Sequence, residues 1–258
     1  MKAIITGASS GIGREMARIL SDMGYDIIAV ARREERLISL KEELKGDVEV
    51  LCCDVSDPLQ CKELAKRAKE AEIFINNAGF GVFGELCSTS IDGELKMLDT
   101  NIRAVHILTK SVAQIFKERN SGYILNVASL AAFFPGPLFA AYYASKSYVL
   151  RLSQALSEEL RRDKSGVKVS VLCPGPVHTE FGDVAGVSFG LGNEKGGKLI
   201  VKDCRYVAEY AIKKMFAGKG VIIPGGLMKM AVFLRRILPD KILARAVCMI
   251  QREKCITK

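Results

Sequence analysis

The chain has 258 residues, 49% of them hydrophobic and 26% charged, proportions that allow a substantial core and exclude a disordered or collagen-like chain. Eight cysteines without a C-x-x-C pair and two histidines without ligand spacing argue against a disulfide scaffold and a zinc centre, and the thiols read as free and buried. The formal charge is +9, yet residues 227–258 hold eight Lys/Arg against two acids; with six of the nine excess charges in that tail, a nucleic-acid groove across the whole fold is not indicated.

Short β-branched runs alternate with longer amphipathic ones. In chain order the pattern predicts a strand over Lys2–Thr6, the loop "TGASSGIG" from Thr6 to Gly13, and a helix over Gly11–Met23. A second strand, Asp26–Ala31, runs into Arg32-Arg33 and a helix over Glu34–Lys45; a third, Val48–Cys53, into Asp54-Val55 and a helix over Pro58–Glu70. The fourth strand, Glu72–Asn76, ends in Asn77-Ala78-Gly79 and precedes one long helix over Asp92–Glu118. Strand five, Gly122–Ala128, leads through Ser129 and the apolar Leu130–Ala141 to a helix over Ala140–Arg162. Strand six, Val167–Cys173, meets Pro174-Gly175, and the six glycines of Phe181–Lys198 read as a long mobile loop or lid. A helix over Asp203–Phe216 and a strand over Val221–Ile223 follow, and then two amphipathic tail helices broken at Pro239-Asp240.

Strands that are apolar along most of their length, separated by helices, imply α/β architecture. The expectation is a Rossmann-like, doubly wound, seven-stranded parallel sheet with helices on both faces and its ligand crevice at the carboxyl ends of the strands. It would form one domain over 1–226, with a basic helical extension over 227–258.

Gly7, Gly11 and Gly13 fall between the first strand and its helix. There the missing Cβ atoms allow a sharp turn and a close approach to a pyrophosphate, which the helix N-terminus then binds. No Lys-Ser/Thr pair follows, so a P-loop is excluded; a ligand-free βα turn is the alternative. The second strand ends without an acid for a ribose 2′-hydroxyl. Small Ala31 and the Arg32 or Arg33 fork suit a 2′-phosphate instead, which favours NADP over NAD, although Arg33 also reads as a solvated residue opening the second helix.

In these residues the chain resembles the short-chain dehydrogenase/reductase family over nearly its whole length. Thr6-Gly7-x-x-x-Gly11-x-Gly13, with Ser9, Ser10 and Ile12 inside it, resembles the family's cofactor loop. Asp54-Val55 resembles its adenine contact, Asn76-Asn77-Ala78-Gly79 its stretch after strand four, and Pro174-Gly175, Val177 and Thr179 its segment beyond strand six. Asn101, Ser129 and Tyr142-x-x-x-Lys146 match its catalytic set; the Lys146 spacing selects Tyr142 over the adjacent Tyr143. The resemblance implies that Lys146 also holds the nicotinamide ribose and that Asn101 positions a water in a proton relay. It further implies that Thr179 and the backbone near Val177 fix the carboxamide, and that the long helices pair subunits into a homodimer or homotetramer.

The chemistry of the residue types is consistent with this. Carbonyl–alcohol interconversion needs a proton donor at the oxygen, and a free phenol is a sluggish one. Four residues along a helix put Lys146 on the face of Tyr142, where an ammonium and an oxidised nicotinamide would lower the phenol pKa. Ser129, at a strand end, can hydrogen-bond the reacting oxygen. Singly, each has a plainer role: Tyr142 a packed aromatic, Lys146 a surface cation, Ser129 a cap, Asn101 a mid-helix polar group, Asp54 a turn cap. Asn76 and Asn77 read as strand-bonding residues, His106 as a packing or interface residue, and His178 as a loop residue near the pocket.

"LAAFFPGPLFAA" between Ser129 and Tyr142 suggests a hydrophobic pocket for a lipophilic carbonyl or alcohol, with Phe133 and Phe134 as core the alternative. Four roles fit the basic, apolar tail: covering the substrate mouth, building a subunit interface, contacting an anionic membrane surface, or packing on the body with a solvated basic face. With no secretory pattern and no membrane-spanning apolar run, the expected location is the cytoplasm. The functional expectation is an NADP(H)-dependent oxidoreductase; a nucleotide-sensing module without turnover is the alternative.

Overall fold

The structure, a computed structural model, describes residues 1–177, 179–185 and 202–253. Seven strands form one sheet: β1 (Lys2–Thr6), β2 (Asp26–Ala31), β3 (Val48–Cys52), β4 (Ile73–Asn76), β5 (Gly122–Val127), β6 (Val167–Leu172) and β7 (Val221–Ile222). Their order is β3-β2-β1-β4-β5-β6-β7, and every pairing is parallel. The order in which the chain fills the sheet switches sides between β1 and β4, the place whose carboxyl edge holds the ligand crevice of an open α/β sheet.

Alternate strand residues feed two cores, as the period of two requires. Ala3, Ile5, Ile27, Ala29 and Ile75 pack under α1 (Gly11–Asp22), α2 (Glu34–Glu43) and α8 (Cys204–Phe216). On the other face Ile4, Ile28, Phe74 and Ile124 meet α3 (Pro58–Lys66), α5 (Val105–Glu118) and the end of α6 (Ala140–Arg162). The remaining helices are α4 (Ile91–Leu98), the short α7 (Phe181–Ala185), and the tail helices α9 (Gly226–Leu234) and α10 (Asp240–Glu253).

Three departures from the sequence reading have physical causes. The single helix expected over Asp92–Glu118 is α4 and α5 joined by a π-turn over Asp99–Ala104, a change of hydrogen-bond step that apolar periodicity does not register. The helix expected over Pro58–Glu70 tightens into a 3₁₀ turn at Arg67–Glu70. Strands expected to reach Cys53, Ala128 and Cys173 stop one residue short, although each of those residues still donates one backbone bond to the neighbouring strand, at 3.0, 2.8 and 2.8 Å.

Among the described residues the cysteines are unpaired. Burial raises the Cys53 thiol to about 11 and those of Cys61 and Cys173 to about 12, so these are inert core groups. Cys52 and Cys87, expected to be buried, are exposed; Cys52 is on the outermost strand of the sheet. No helix among the described residues is long and apolar enough to cross a membrane, and no group of His, Cys, Asp and Glu among them could hold a metal ion.

Candidate active site

The glycine loop is built by close approach. A Cβ on Gly13 would lie 2.3 Å from Asn77 Nδ2 and 2.4 Å from the Gly7 carbonyl, and Gly7 itself has φ +67°. The Asn77 amide donates to the Thr6 and Gly7 carbonyls at 3.0 and 3.1 Å. The Thr6 hydroxyl accepts from the Asn77 and Ala78 N–H groups at 3.0 and 3.1 Å. These bonds tie the β1 loop to the β4 loop. Ser10 caps α1 without a side-chain bond and no acid stands in the first turn, so the leading N–H groups and the positive helix end face the crevice. The Thr179 methyl lies 3.1 Å from where a Gly11 Cβ would be, which brings the segment after β6 over the loop. The cradle fits a pyrophosphate.

Around the far end of this cradle the basic residues sort themselves. Arg32 is exposed. Arg33 is half-buried and its guanidinium donates to the Ser9 and Ser10 hydroxyls at 3.3 and 3.4 Å and to Glu180 at 3.1 Å. Arg36, which the sequence did not single out, binds the other Glu180 oxygen. Arg36 and then Arg33 hold the Glu180 carboxyl below the ordinary range. Asp54 uses one oxygen to accept from the Ser56 N–H and hydroxyl at 3.0 and 2.8 Å, a turn cap, while Val55 is buried.

On the opposite side of the crevice Tyr142 and Lys146 stand one turn apart on α6, only 7% and 4% exposed. The Lys146 ammonium donates to the Val127 carbonyl at 3.0 Å and sits 5.8 Å from the Tyr142 ring centre. Ser129 caps the 3₁₀ turn after β5, its hydroxyl accepting from the Ala131 N–H at 3.1 Å, and stands near enough to the phenol to oppose the effect of its burial. Asn101 lies fully buried inside the π-turn, donating to the Phe80 carbonyl at 2.9 Å and the Ser145 hydroxyl at 3.1 Å and accepting from the Phe80 N–H at 3.2 Å. A Cβ on Gly79 would meet Asn101 Oδ1 at 2.9 Å and Lys146 Nζ at 3.1 Å, so only glycine lets the β4 loop close over both groups.

Burial pushes the Tyr142 phenol well above its ordinary value, with Ser129 pulling the other way, and burial lowers Lys146 to about 8. In the protein alone burial is the largest influence on the phenol, and the Lys146 Nζ is engaged by the Val127 carbonyl.

The short chain dehydrogenase family model matches residues 1–188. This chain belongs to the short-chain dehydrogenase/reductase family. An uncharacterized oxidoreductase of Staphylococcus epidermidis is 33% identical, over 73% of this chain and 82% of that one. A short-chain dehydrogenase from Sphingobium yanoikuyae in complex with NADPH is 31% identical with a TM-score of 0.78, covering 86% of this chain and 87% of its own. A family member from Burkholderia phymatum in complex with NAD is 27% identical with a TM-score of 0.81, covering 91% and 92%. The chain is therefore an oxidoreductase with a nicotinamide-type cofactor site.

In this dehydrogenase/reductase the apolar segment before α6 divides in two. Phe133 packs into a core with Val149 and Leu150, whereas Phe139 stacks on Tyr142 at 4.6 Å and Phe181 approaches that ring at 5.3 Å. Phe80, Val82 and Phe83 extend the same apolar wall. Pro174 accepts from the Leu130 N–H at 2.8 Å, Met228 of α9 lies against Gly175, and Val177 bridges to Lys202. Ile12 packs on the core under α1. Asn76 bonds Asn126 at 2.8 Å and Thr109 at 3.2 Å, and Asn126 continues to Ser153 at 2.9 Å, a buried network joining β4, β5, α5 and α6. Tyr143 turns away to bind Gln251 of α10 at 3.0 Å. His106 is exposed and bonded to Tyr148 at 2.6 Å. His178, Gly186–Lys198 of the expected lid, and Cys255 lie outside the described residues.

Proposed function

We propose that the protein is an NADP(H)-dependent oxidoreductase that interconverts a carbonyl and an alcohol on a lipophilic small molecule. The observation that carries this reading is the buried Tyr142–Lys146 pair on one face of α6, with Ser129 following β5 at the carboxyl edge of the sheet. Tyr142 gives or takes the proton at the substrate oxygen, and Ser129 holds that oxygen in place. Lys146 is at once the cation that favours phenolate and the donor to the nicotinamide ribose. Asn101 holds the π-turn that positions the relay, and Phe139 and Phe181 exclude water from the phenol.

Gly7, Ser9, Ser10, Gly11, Ile12 and Gly13 hold the pyrophosphate; Asp54, Val55, Asn77, Ala78 and Gly79 line the adenosine and ribose side; Pro174, Gly175, Val177 and Thr179 hold the carboxamide. When bound, the nicotinamide supplies or accepts the hydride. The preference for NADP rests on Arg33 and Arg36, which already gather one carboxylate from Glu180 and suit a more strongly charged 2′-phosphate. Arg32, the residue the sequence favoured, becomes secondary. The helices α5 and α6 pair subunits, and gel filtration with light scattering is expected to give a dimer or tetramer rather than a monomer.

A panel of ketones and alcohols followed by NADPH absorbance tests the substrate class. Bulky apolar ketones are expected to outrun small polar ones; the reverse order removes the lipophilic assignment. Replacing both arginines, Arg33→Ala with Arg36→Ala, is expected to weaken NADPH binding at least tenfold and NADH binding little. Equal losses remove the NADP assignment.

A further inference from the structure

The two tail helices carry a surface that the oxidoreductase chemistry does not use. α9 buries none of its residues. Of the seventeen large hydrophobic side chains exposed among the described residues, nine lie between Leu227 and Ile250, a concentration in one short segment rather than a scatter over the surface. Leu227, Met230, Phe233, Leu234, Ile237 and Leu238 recur at three- and four-residue steps, and Phe233, Ile237 and Met249 are 61%, 71% and 63% exposed. α10 is fixed from behind by Leu243, which is buried, and by Gln251 on Tyr143, so its outward face is held in place.

Cations accompany this segment. Lys229, Arg236, Lys241, Arg245 and Arg252 are exposed, and none of them pairs with a carboxylate among the described residues. Asp240 is the one acid between 227 and 252. A second copy meeting this face through a twofold axis would bring the same cations together. An apolar stripe accompanied by cations without a carboxylate partner among the described residues, Lys229 meeting only the Tyr210 hydroxyl and ring, instead suits a surface that is apolar inside and anionic at its rim. Neither helix can cross a bilayer; both can lie in its interface.

We propose that α9 and α10 form a docking face for the interface of an anionic lipid bilayer. α9 reaches the segment after β6, where Met228 lies against Gly175, and Val232 packs on the same core as Phe134. Docking is a property of the tail and stands independently of the catalytic reading.

The test is flotation of the full-length protein with vesicles of neutral phosphatidylcholine and of phosphatidylcholine containing 30 mol% phosphatidylglycerol. Binding is expected to the anionic vesicles and to fall as salt is raised. Arg236→Gln with Arg245→Gln is expected to weaken it about 25-fold, at about fivefold per cation, and Phe233→Ser with Ile237→Ser is expected to weaken it on the same vesicles. A control pair on another surface, Lys62→Gln with Lys69→Gln, is expected to change binding little. Three results would overturn the proposal: no flotation even at low salt; equal losses from the tail and control pairs, which means attraction to net charge alone; or no flotation together with self-association that Phe233→Ser with Ile237→Ser abolishes, which makes the face a subunit contact. Flotation is read without turnover, so its failure leaves the oxidoreductase reading intact and the converse also holds.

Discussion

The crevice at the sheet's carboxyl edge and the face of the tail helices are built on opposite plans. In the crevice the buried polar side chains are nearly all engaged: Asn101 makes three bonds, Lys146 is tied to Val127, and Gly13 touches Asn77 and Gly7 too closely for any side chain. The tail presents large apolar groups and cations to solvent, and only one side of it is anchored. Close packing on every side fixes geometry to the precision that proton transfer requires. A face finished on one side only marks where something else completes the surface. On the proposals above, the contrast separates what the chain does by itself from what it does with a lipid surface.

Substitution should expose that contrast, and the largest effect is expected in the buried network behind the crevice. Asn126→Leu leaves Asn76, Thr109 and Ser153 short of partners and is expected to cost about 3–5 kcal/mol in urea unfolding. A loss under 1 kcal/mol would mean that the network is not what joins β4, β5, α5 and α6.

Lys146 gives the next effect, through pH. Burial lowers its folded-state value to about 8 from 10.5, so between those limits the unfolded chain binds more protons, and the lysine's contribution to stability rises with pH. Lys146→Met removes this. The stability of wild type relative to Lys146→Met is expected to improve between pH 8 and 10.5, by on the order of 3 kcal/mol. A flat difference would show that the ammonium is not desolvated.

Smaller still is Glu180→Gln. If Arg33 and Arg36 hold a 2′-phosphate, removing the carboxylate that pairs with both of them is expected to tighten NADPH binding about three- to tenfold and leave NADH nearly unchanged, as read by fluorescence titration. Smallest is Ile237→Ser on the tail, expected to move unfolding stability by less than about 0.5 kcal/mol. A large loss there would show the side chain to be packed, and would erase the contrast between the two regions.

How far the sequence carried the fold depended on the range of the interactions. The seven strands were legible because their apolar residues serve cores on both faces, and the glycine loop because its spacing sits between a strand and a helix. Tyr142 and Lys146 were legible because both belong to one helix and four residues suffice. The π-turn that carries Asn101 was not, since it alters hydrogen bonding without altering the apolar pattern. Arg36 and Glu180 lie 144 residues apart, and nothing local marks either as the other's partner. Arg32 and Arg33 are adjacent and alike in type, so only the backbone's direction at the start of α2 decides which one turns onto Ser9 and Ser10. Tyr143 was selected against by spacing, yet its anchoring of α10 through Gln251 is a contact across 108 residues that no periodicity contains.

The central claim is that Tyr142 carries the proton in a reaction the whole crevice is built around. Its most direct test is the NADPH-dependent reduction rate of wild type and Tyr142→Phe on the best ketone of the panel, with NADPH binding titrated in parallel. A fall of about 10²- to 10⁴-fold in kcat/KM with NADPH affinity nearly unchanged is the expected result. Unchanged turnover in Tyr142→Phe would contradict the account.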